Sequence, residues 1–117
     1  MTEKVYATEQ QFQADCVSWF NYEFPSERKS LHCNNNNSAD RRSGNVAKAM
    51  GVVKGVADLE LLIFGGVAFI ELKLPGKTQS EDQIKFEQLC ISKRILYFVV
   101  ETLEQFKKLV CELLSGK

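Results

Sequence analysis

The most restrictive feature of the sequence is a pair of strand-length, mostly apolar segments, residues 56–64 and 67–74, joined by Gly65-Gly66. Two glycines between two such segments are a strong signal for a β-hairpin, because glycine adopts the backbone angles of tight turns without steric cost. Pro75-Gly76 ends the second segment. We therefore expect the chain to fold around an antiparallel pair of strands.

Helix signals lie on both sides of this hairpin. Thr8 and Gln11 form a capping box at the start of a predicted helix over residues 9–21. Ser80 and Gln83 form a second capping box, and the helix that it starts is predicted to end near residue 92.

A strand and a helix complete the predicted order. Residues 95–100 are almost wholly apolar, which predicts a central strand covered on both faces. The strand–helix–strand order predicts a crossover, so this strand should run parallel to residues 67–74. A last helix follows Thr102, which is its predicted N-cap. These elements predict an α/β fold with a mixed sheet.

The segment before the hairpin is polar and basic. Residues 30–34 predict a short strand, and residues 34–50, which begin with four asparagines, predict an extended, mobile loop. Residues 28–54 contain six Lys or Arg against one acidic residue, a net charge of +5 within a chain whose net charge is zero. Either a solvated loop or a binding site for a polyanion would account for this charge.

Composition excludes several classes of protein. The 117 residues suffice for one domain, residues 1–117, and a hydrophobic content of 44% argues against disorder. No apolar run approaches the ~20 residues of a membrane helix, and the polar N-terminus is unlike a signal peptide. The cysteines contain no CxxC pair, which disfavours zinc. Cys16, Cys90 and Cys111 lie on apolar faces of predicted helices, so we expect reduced, buried cysteines in a cytoplasmic protein.

Charged residues interrupt the apolar hairpin. Asp58 and Glu60 share one face of the first strand, and residues 71 and 73, Glu and Lys, share one face of the second. With the two glycines as the turn, Asp58 lies opposite Lys73 and Glu60 lies opposite Glu71. A charged outer face with a cross-strand ion pair explains this pattern. Carboxylates gathered at the end of a covered sheet equally provide the oxygen ligands that Mg²⁺ or Mn²⁺ prefers.

Asp58 and, thirteen positions later, Glu71-Leu72-Lys73 resemble the D…ExK signature of the PD-(D/E)XK nuclease superfamily. Their surroundings resemble a VRR-Nuc domain, the virus-type replication-repair nuclease module. The features that carry this resemblance are Gly51, Gly55, the segment ELKLPGKTQS, Gln83, Glu9, and the strand and short helix near the end. The resemblance covers residues 8–114, and the compact size resembles the stand-alone versions of phages and bacteria. Ala57 replaces the proline of the superfamily name, a position without side-chain chemistry.

The resemblance implies a three-layer α/β/α core of the restriction-endonuclease type and a metal-dependent phosphodiesterase. Asp58 and Glu71 would be ligands of Mg²⁺ or Mn²⁺, together with the backbone carbonyl of Leu72. Lys73 would position the attacking water and stabilise the pentavalent phosphate. Glu9 would be an outer ligand or a ligand of a second metal ion. No organic cofactor is implied.

The resemblance also implies DNA as the substrate. Gln83 would contact lysine, water or phosphate, and its role as a cap of its own helix is compatible with that contact. The residues expected to bind DNA phosphates are Arg41, Arg42, Lys48, Lys54 and Lys77.

Stand-alone members of this family resemble Holliday junction resolvases in forming two-fold dimers. We therefore expect a homodimeric, structure-selective DNA endonuclease in the cytoplasm, which is the host's cytoplasm if a phage encodes it, with no membrane partner. One alternative is a monomeric nuclease that acts on flaps or linear DNA ends. Two others are a DNA-binding module without catalysis and an interaction domain whose charged hairpin is structural.

Overall fold

The predicted hairpin lies at the centre of a four-stranded mixed sheet. The computed structural model describes residues 4–34 and 44–116. The strands, in their order across the sheet, are β1 (Leu31–Cys33), β2 (Leu59–Ile63), β3 (Gly66–Leu72) and β4 (Leu96–Val100). β2 is antiparallel to β1 and β3, whereas β3 and β4 are parallel. The hairpin and the parallel crossover are therefore confirmed.

The three predicted helices begin where the sequence places them. The helices of the described chain are α1 (Glu9–Glu23), α2 (Gly44–Ala49), α3 (Glu81–Ser92) and α4 (Leu103–Leu114), with a 3-10 helix over Pro25–Ser30. Thr8, Ser80 and Thr102 each accept a hydrogen bond from the backbone N–H three residues on, at 3.1, 3.2 and 3.1 Å. Each cap satisfies a donor that the helix start leaves free. None of these helices is long and apolar enough to cross a membrane.

The prediction of a loop over residues 34–50 is wrong in part, because residues 44–49 form α2. Its sequence, GNVAKA, contains two alanines and a lysine, which are strong helix formers that a polar, aperiodic context conceals. Residues 35–43, the rest of that segment, lie outside the described residues.

Helices cover the sheet on both faces, which gives three layers. One face packs against α1 and α4, and the buried core there consists of Phe12, Cys16, Phe20, Leu59, Leu61, Ile70, Leu72, Val100, Phe106 and Val110. The other face carries Phe69, since neighbouring residues of a strand point to opposite faces. Its ring meets Phe86 of α3 edge to face, with centroids 5.1 Å apart. The α/β/α arrangement expected from the sequence is therefore present.

The turn of the hairpin lies one residue earlier than the sequence predicts. Ile63 pairs with Gly66, so Phe64 and Gly65 form the turn and Gly66 belongs to β3. Gly65 adopts a φ of +83°, the conformation that favours glycine at the second position of a tight turn. Of the two adjacent glycines, the one with positive φ determines where the strands reverse.

β4 is an edge strand, although its apolar composition predicts a central one. Among the described strands only β3 pairs with it. α3 contacts β4 on one face and α4 on the other. An apolar strand is stable in this position because helices, rather than a second neighbouring strand, supply its cover.

The prediction of buried cysteines holds for two of the three helical positions. Cys16 and Cys90 are buried and Cys111 is exposed, and all four thiols of the chain are free. Cys111 follows the buried Val110, and one residue turns a helix by ~100°, away from the core. Burial raises the pKa of the Cys16 thiol to about 12, which makes this thiol unreactive.

Candidate active site

Asp58 lies at the open end of the hairpin, one residue before β2. Its Oδ2 accepts a hydrogen bond from the backbone N–H of Leu72 at 2.8 Å. Its backbone carbonyl accepts one from the N–H of Asn34, also at 2.8 Å. The carboxylate therefore bridges from the start of β2 to the end of β3, while Asn34, directly after β1, binds the Asp58 backbone from the other side.

The register of the hairpin differs from the predicted one and changes the neighbours of each charged residue. Continued by one residue, the observed pairing sets Asp58 level with Glu71 rather than with Lys73. Glu60 lies opposite Phe69, so it is not paired with Glu71 as the sequence predicts. The register itself thus brings together the two carboxylates of the D…ExK pattern.

Glu71 is fully buried, with 0% of its surface exposed. Its Oε2 accepts a hydrogen bond from Gln83 Nε2 at 2.7 Å and lies 3.5 Å from Lys73 Nζ. Its Oε1 is buried and has no hydrogen-bond partner in the described structure. A buried carboxylate oxygen without a partner is energetically unfavourable, which points to a ligand that completes the site.

Lys73 holds a single positive charge between two carboxylates. It is 8% exposed, and its Nζ lies 3.5 Å from Glu71 Oε2 and 3.9 Å from Glu9 Oε2. Its backbone N–H donates to the carbonyl of Val100 at 3.0 Å, which fixes the residue to β4. Glu9 reaches this group from the first turn of α1, where the helix dipole also favours a carboxylate.

Gln83 caps its own helix, as the sequence predicts, and its side chain also reaches the site, where its partner is Glu71 rather than lysine, water or phosphate. Its Oε1 accepts a hydrogen bond from the backbone N–H of Ser80 at 2.8 Å. Its Nε2 donates to Glu71 at 2.7 Å. Because the cap fixes the amide, the start of α3 orients the buried glutamate.

Burial raises the pKa of both carboxyl groups of the pair. The pKa of Glu71 rises to about 8, first because burial disfavours its charged form and second because Asp58 repels it, while Lys73 acts in the opposite direction. The pKa of Asp58 is raised by burial, against the hydrogen bond from Leu72 and the charge of Lys73. Two adjacent carboxylates therefore resist full ionisation, and a cation between them would remove that resistance.

We expect the thermal midpoint of the metal-free protein to fall as the pH rises from about 5 to 8. The pKa of Glu71 is about 8 in the folded chain and ~4.3 in an unfolded one, so the folded chain holds a proton that the unfolded chain releases. Thermal unfolding in EDTA at several pH values measures the slope. Glu71→Gln should flatten it, whereas the exposed control Glu81→Gln should not. Equal slopes for wild type and Glu71→Gln would contradict the assignment.

Asp58 and Glu9 border a cleft with a volume of about 960 Å³, whereas Glu71 and Lys73 lie behind its lining. Its walls come from α1, the end of β1, the segment before β2 and the start of α3. The side chains that line it and can donate hydrogen bonds include Gln13, Asn34 and Lys54. The Nδ2 of Asn34 is buried and has no partner in the described structure.

Asn34 is the site residue that sequence reasoning missed. It belongs to the asparagine run, which predicts only a loop, but it follows β1 directly and its N–H binds the carbonyl of Asp58. Knowledge that β1 pairs with β2 would have revealed it, because the residue after Cys33 then lies opposite Asp58.

The predicted DNA-binding residues are not all at the cleft. Lys54 lines it, whereas Lys48 is exposed on α2 and Lys77 is exposed in the segment after β3. Arg41 and Arg42 lie outside the described residues.

The residues present fit a hydrated divalent cation. Within residues 4–34 and 44–116, no group of three or more His, Cys, Asp or Glu could hold a metal ion, so Glu9 does not complete a three-carboxylate cluster. Asp58 and Glu71 would supply the side-chain oxygens, and Mg²⁺ commonly takes one or two carboxylates and keeps its waters. The N–H of Leu72 faces Asp58, and its carbonyl points to the same side, since both groups of a strand residue do. The unpartnered Oε1 of Glu71 is consistent with this site.

Fold and site together define an α/β/α domain in which the buried Glu71 and Lys73 lie with the half-buried Asp58 at the open end of a mixed-sheet hairpin. Comparison with solved structures finds the same fold in a VRR_NUC domain protein, with a TM-score of 0.77 at 15% sequence identity. The match covers 97% of this chain and 93% of that one. No protein-family model and no curated protein matches the chain. The likeness shows that the chain has the fold of a VRR-Nuc domain.

Proposed function

We propose that the chain is a metal-dependent nuclease that hydrolyses phosphodiester bonds of DNA. The observation that carries the proposal is Glu71, a fully buried carboxylate with one unpartnered oxygen, 3.5 Å from Lys73 and level with Asp58. Its context supports the same reading, since the fold is shared with a protein named for a nuclease domain.

In the proposed mechanism each residue of the acidic group has a distinct task. Asp58, Glu71 and the Leu72 carbonyl would hold Mg²⁺ or Mn²⁺, which when bound would polarise the phosphodiester and acidify a water. Lys73 orients the attacking water and stabilises the negative charge that develops on the phosphate. Gln83 fixes one oxygen of Glu71, so the other oxygen remains available for the cation.

The donors that line the cleft would bind phosphate oxygens of the DNA backbone. Lys54 supplies a positive charge, and Gln13 and Asn34 supply neutral amides. A neutral amide can donate to a phosphate oxygen beside these carboxylates without forming an ion pair with them. Lys48 and Lys77, which do not line the cleft, would contact the DNA backbone beyond it, and Arg41 and Arg42 would also bind phosphates.

The proposal extends to branched DNA and to a homodimer. A two-fold dimer carries two active sites and could cut two strands of a junction symmetrically. The resemblance to stand-alone VRR-Nuc domains supports this extension. A monomeric nuclease of flaps or linear ends and a catalytically silent DNA-binding module are the alternatives that the choice of substrates separates.

The decisive experiment compares cleavage of a labelled four-way junction, a flap, a linear duplex and a single strand. Each substrate is incubated with Mg²⁺ or Mn²⁺ and with EDTA, and Asp58→Asn is purified in parallel to exclude a contaminating nuclease. Metal-dependent paired cuts in the junction, absent in the variant, are the expected result. Cuts confined to linear or flapped DNA would overturn the junction preference. Tight binding of these DNA substrates without any cleavage would overturn the proposed nuclease activity.

A further inference from the structure

Tyr97 is the one residue of β4 with a polar group in its side chain, since the strand reads Leu-Tyr-Phe-Val-Val. Its ring lies on the face of the sheet that α3 covers, with its centroid 6.1 Å from that of Phe86. Its hydroxyl oxygen accepts a hydrogen bond from Gln79 Nε2 at 3.0 Å. A buried tyrosine hydroxyl usually has a hydrogen-bond partner, and this partner lies on the segment that joins β3 to α3.

The segment that carries Gln79 is irregular and mostly exposed. Residues 74–79 connect β3 to α3 without helix or strand. The N–H of Lys77 donates to the carbonyl of Leu74 at 3.0 Å, a bond that closes a turn within the segment and does not attach it to the sheet. Exposed connections of this kind are the less stable parts of a fold. The half-buried Gln79 attaches this one to β4 through the hydroxyl of Tyr97.

A continuous path of contacts leads from this attachment to the buried glutamate. Gln79 directly precedes Ser80, the N-cap of α3. Ser80 Oγ accepts a hydrogen bond from the N–H of Gln83 at 3.2 Å, and Gln83 Oε1 accepts one from the N–H of Ser80 at 2.8 Å. Gln83 Nε2 donates in turn to Glu71 Oε2 at 2.7 Å. A displacement of Gln79 would therefore be transmitted through the capping box to one oxygen of Glu71.

Tyr97 and Glu71 also lie near each other on the same face of the sheet. The parallel register pairs Tyr97 with Phe69, and Phe69 and Glu71 point to one face because their positions differ by two. Burial raises the pKa of the Tyr97 hydroxyl, and the negative charge of Glu71 raises it further, against the hydrogen bond from Gln79. The hydroxyl therefore remains neutral, so it can serve as an anchor without competing with Glu71 for a cation.

We propose that Tyr97 is a positioning residue of the candidate active site, whose hydroxyl anchors Gln79 so that the capping box of α3 holds Glu71 in the orientation that binds the metal ion. This inference rests on the metal site of the proposed function, and Tyr97 acts there through other side chains. Residues that orient a metal ligand commonly contribute about 10–100-fold to metal affinity. Because Tyr97 acts on Glu71 through several intervening groups, we expect its contribution at the lower end of this range.

The test compares two tyrosines that each lose one hydroxyl hydrogen bond. Tyr6 donates to Asp15 at 2.8 Å, and neither of these residues lines the cleft, so Tyr6→Phe is the matched control. Tyr97→Phe should raise the dissociation constant for Mn²⁺, measured by water proton relaxation, roughly tenfold, and the control should leave it within about twofold of the wild type. Thermal unfolding should show small decreases for both variants. A lowered thermal midpoint of Tyr97→Phe with unchanged Mn²⁺ affinity would assign the hydroxyl to stability alone and overturn the proposal.

Amide hydrogen exchange tests the same path in the metal-free protein. The N–H groups of Ser80 and Gln83 form the capping box. Both should exchange faster in Tyr97→Phe than in the wild type, and at the wild-type rate in Tyr6→Phe, because only the first variant releases the start of α3. Unchanged exchange in Tyr97→Phe would show that the capping box does not depend on this hydroxyl, which would overturn the proposal.

The variant Gln79→Met removes the donor of the same hydrogen bond and keeps an unbranched side chain. It should weaken Mn²⁺ binding as much as Tyr97→Phe, and the double variant should bind no more weakly than either single one, because both remove one interaction. Effects that multiply in the double variant would overturn the path through Gln79. A wild type that binds no Mn²⁺ would overturn the metal site and this inference together, whereas one that binds Mn²⁺ but cleaves no DNA would overturn the nuclease alone.

Discussion

Replacing Lys73 with methionine is expected to lower metal-dependent DNA cleavage by ~10²–10³-fold, the usual consequence of removing one group that stabilises transition-state charge. The chain should remain folded, because an unbranched apolar side chain fits a position that is 8% exposed. The ammonium of Lys73 also lowers the pKa of Asp58 and of Glu71. Its loss should therefore move the rise of activity with pH to a higher pH.

Single-turnover cleavage rates across a pH series measure both effects. The matched control is Lys85→Met, which removes an exposed lysine that pairs with Glu81 on α3. Cleavage by Lys73→Met within tenfold of wild type, with the control equally active, would show that the buried lysine has no catalytic role. A lost rate together with a lost circular dichroism signal would instead assign the lysine to folding.

Gly55→Ala is expected to destabilise the protein by about 2–5 kcal/mol. Gly55 has a φ of +88°, and a left-handed conformation costs a residue with a Cβ ~1–2 kcal/mol. A Cβ at this position would also overlap the backbone carbonyl of Asp82 in the first turn of α3, and overpacking commonly adds ~1–3 kcal/mol. Since Gly55 lies between Lys54 and Asp58, the shift should also impair cleavage.

The variant Gly51→Ala separates the cost of backbone strain at positive φ from the cost of steric overlap with a neighbouring element. Gly51 has a φ of +94°, but a Cβ there meets no atom within 4 Å. Thermal unfolding should therefore show a small decrease for Gly51→Ala and a decrease of at least about 10 °C for Gly55→Ala. Equal decreases would mean that the segment before β2 moves away from α3 freely, so that close packing at Gly55 does not position Asp58.

Local signals in the sequence were sufficient for the elements of the fold. Helix starts follow from a side-chain oxygen and a backbone N–H three residues apart, and all three predicted N-caps are present at Thr8, Ser80 and Thr102. The parallel pairing of β3 and β4 follows from the strand–helix–strand order, because a crossover connection leaves few alternatives. The helix over residues 44–49 was not predicted, because six residues are too few to show a helical periodicity of apolar residues.

The exact pairing between distant segments could not be predicted from the sequence. The choice between Gly65 and Gly66 for the positive φ moved the turn by one residue, and it exchanged Lys73 for Glu71 as the neighbour of Asp58. A one-residue uncertainty at a turn therefore decides which charges meet. Asn34 joined the site for the same kind of reason, since only the β1–β2 ladder brings it to Asp58.

The sequence by itself determined which residues are candidates for the proposed chemistry: Asp58, Glu71 and Lys73 at one end of a hairpin, with Glu9 and Gln83 at helix starts. Tertiary structure alone decided that Glu71 is fully buried and that, among the described residues, one of its oxygens has no partner and β4 is an edge of the sheet. The physical reason is the distance along the chain over which each kind of interaction acts. Caps, turns and strand periodicity act over a few residues, whereas burial, pKa and edge exposure depend on which distant elements pack together.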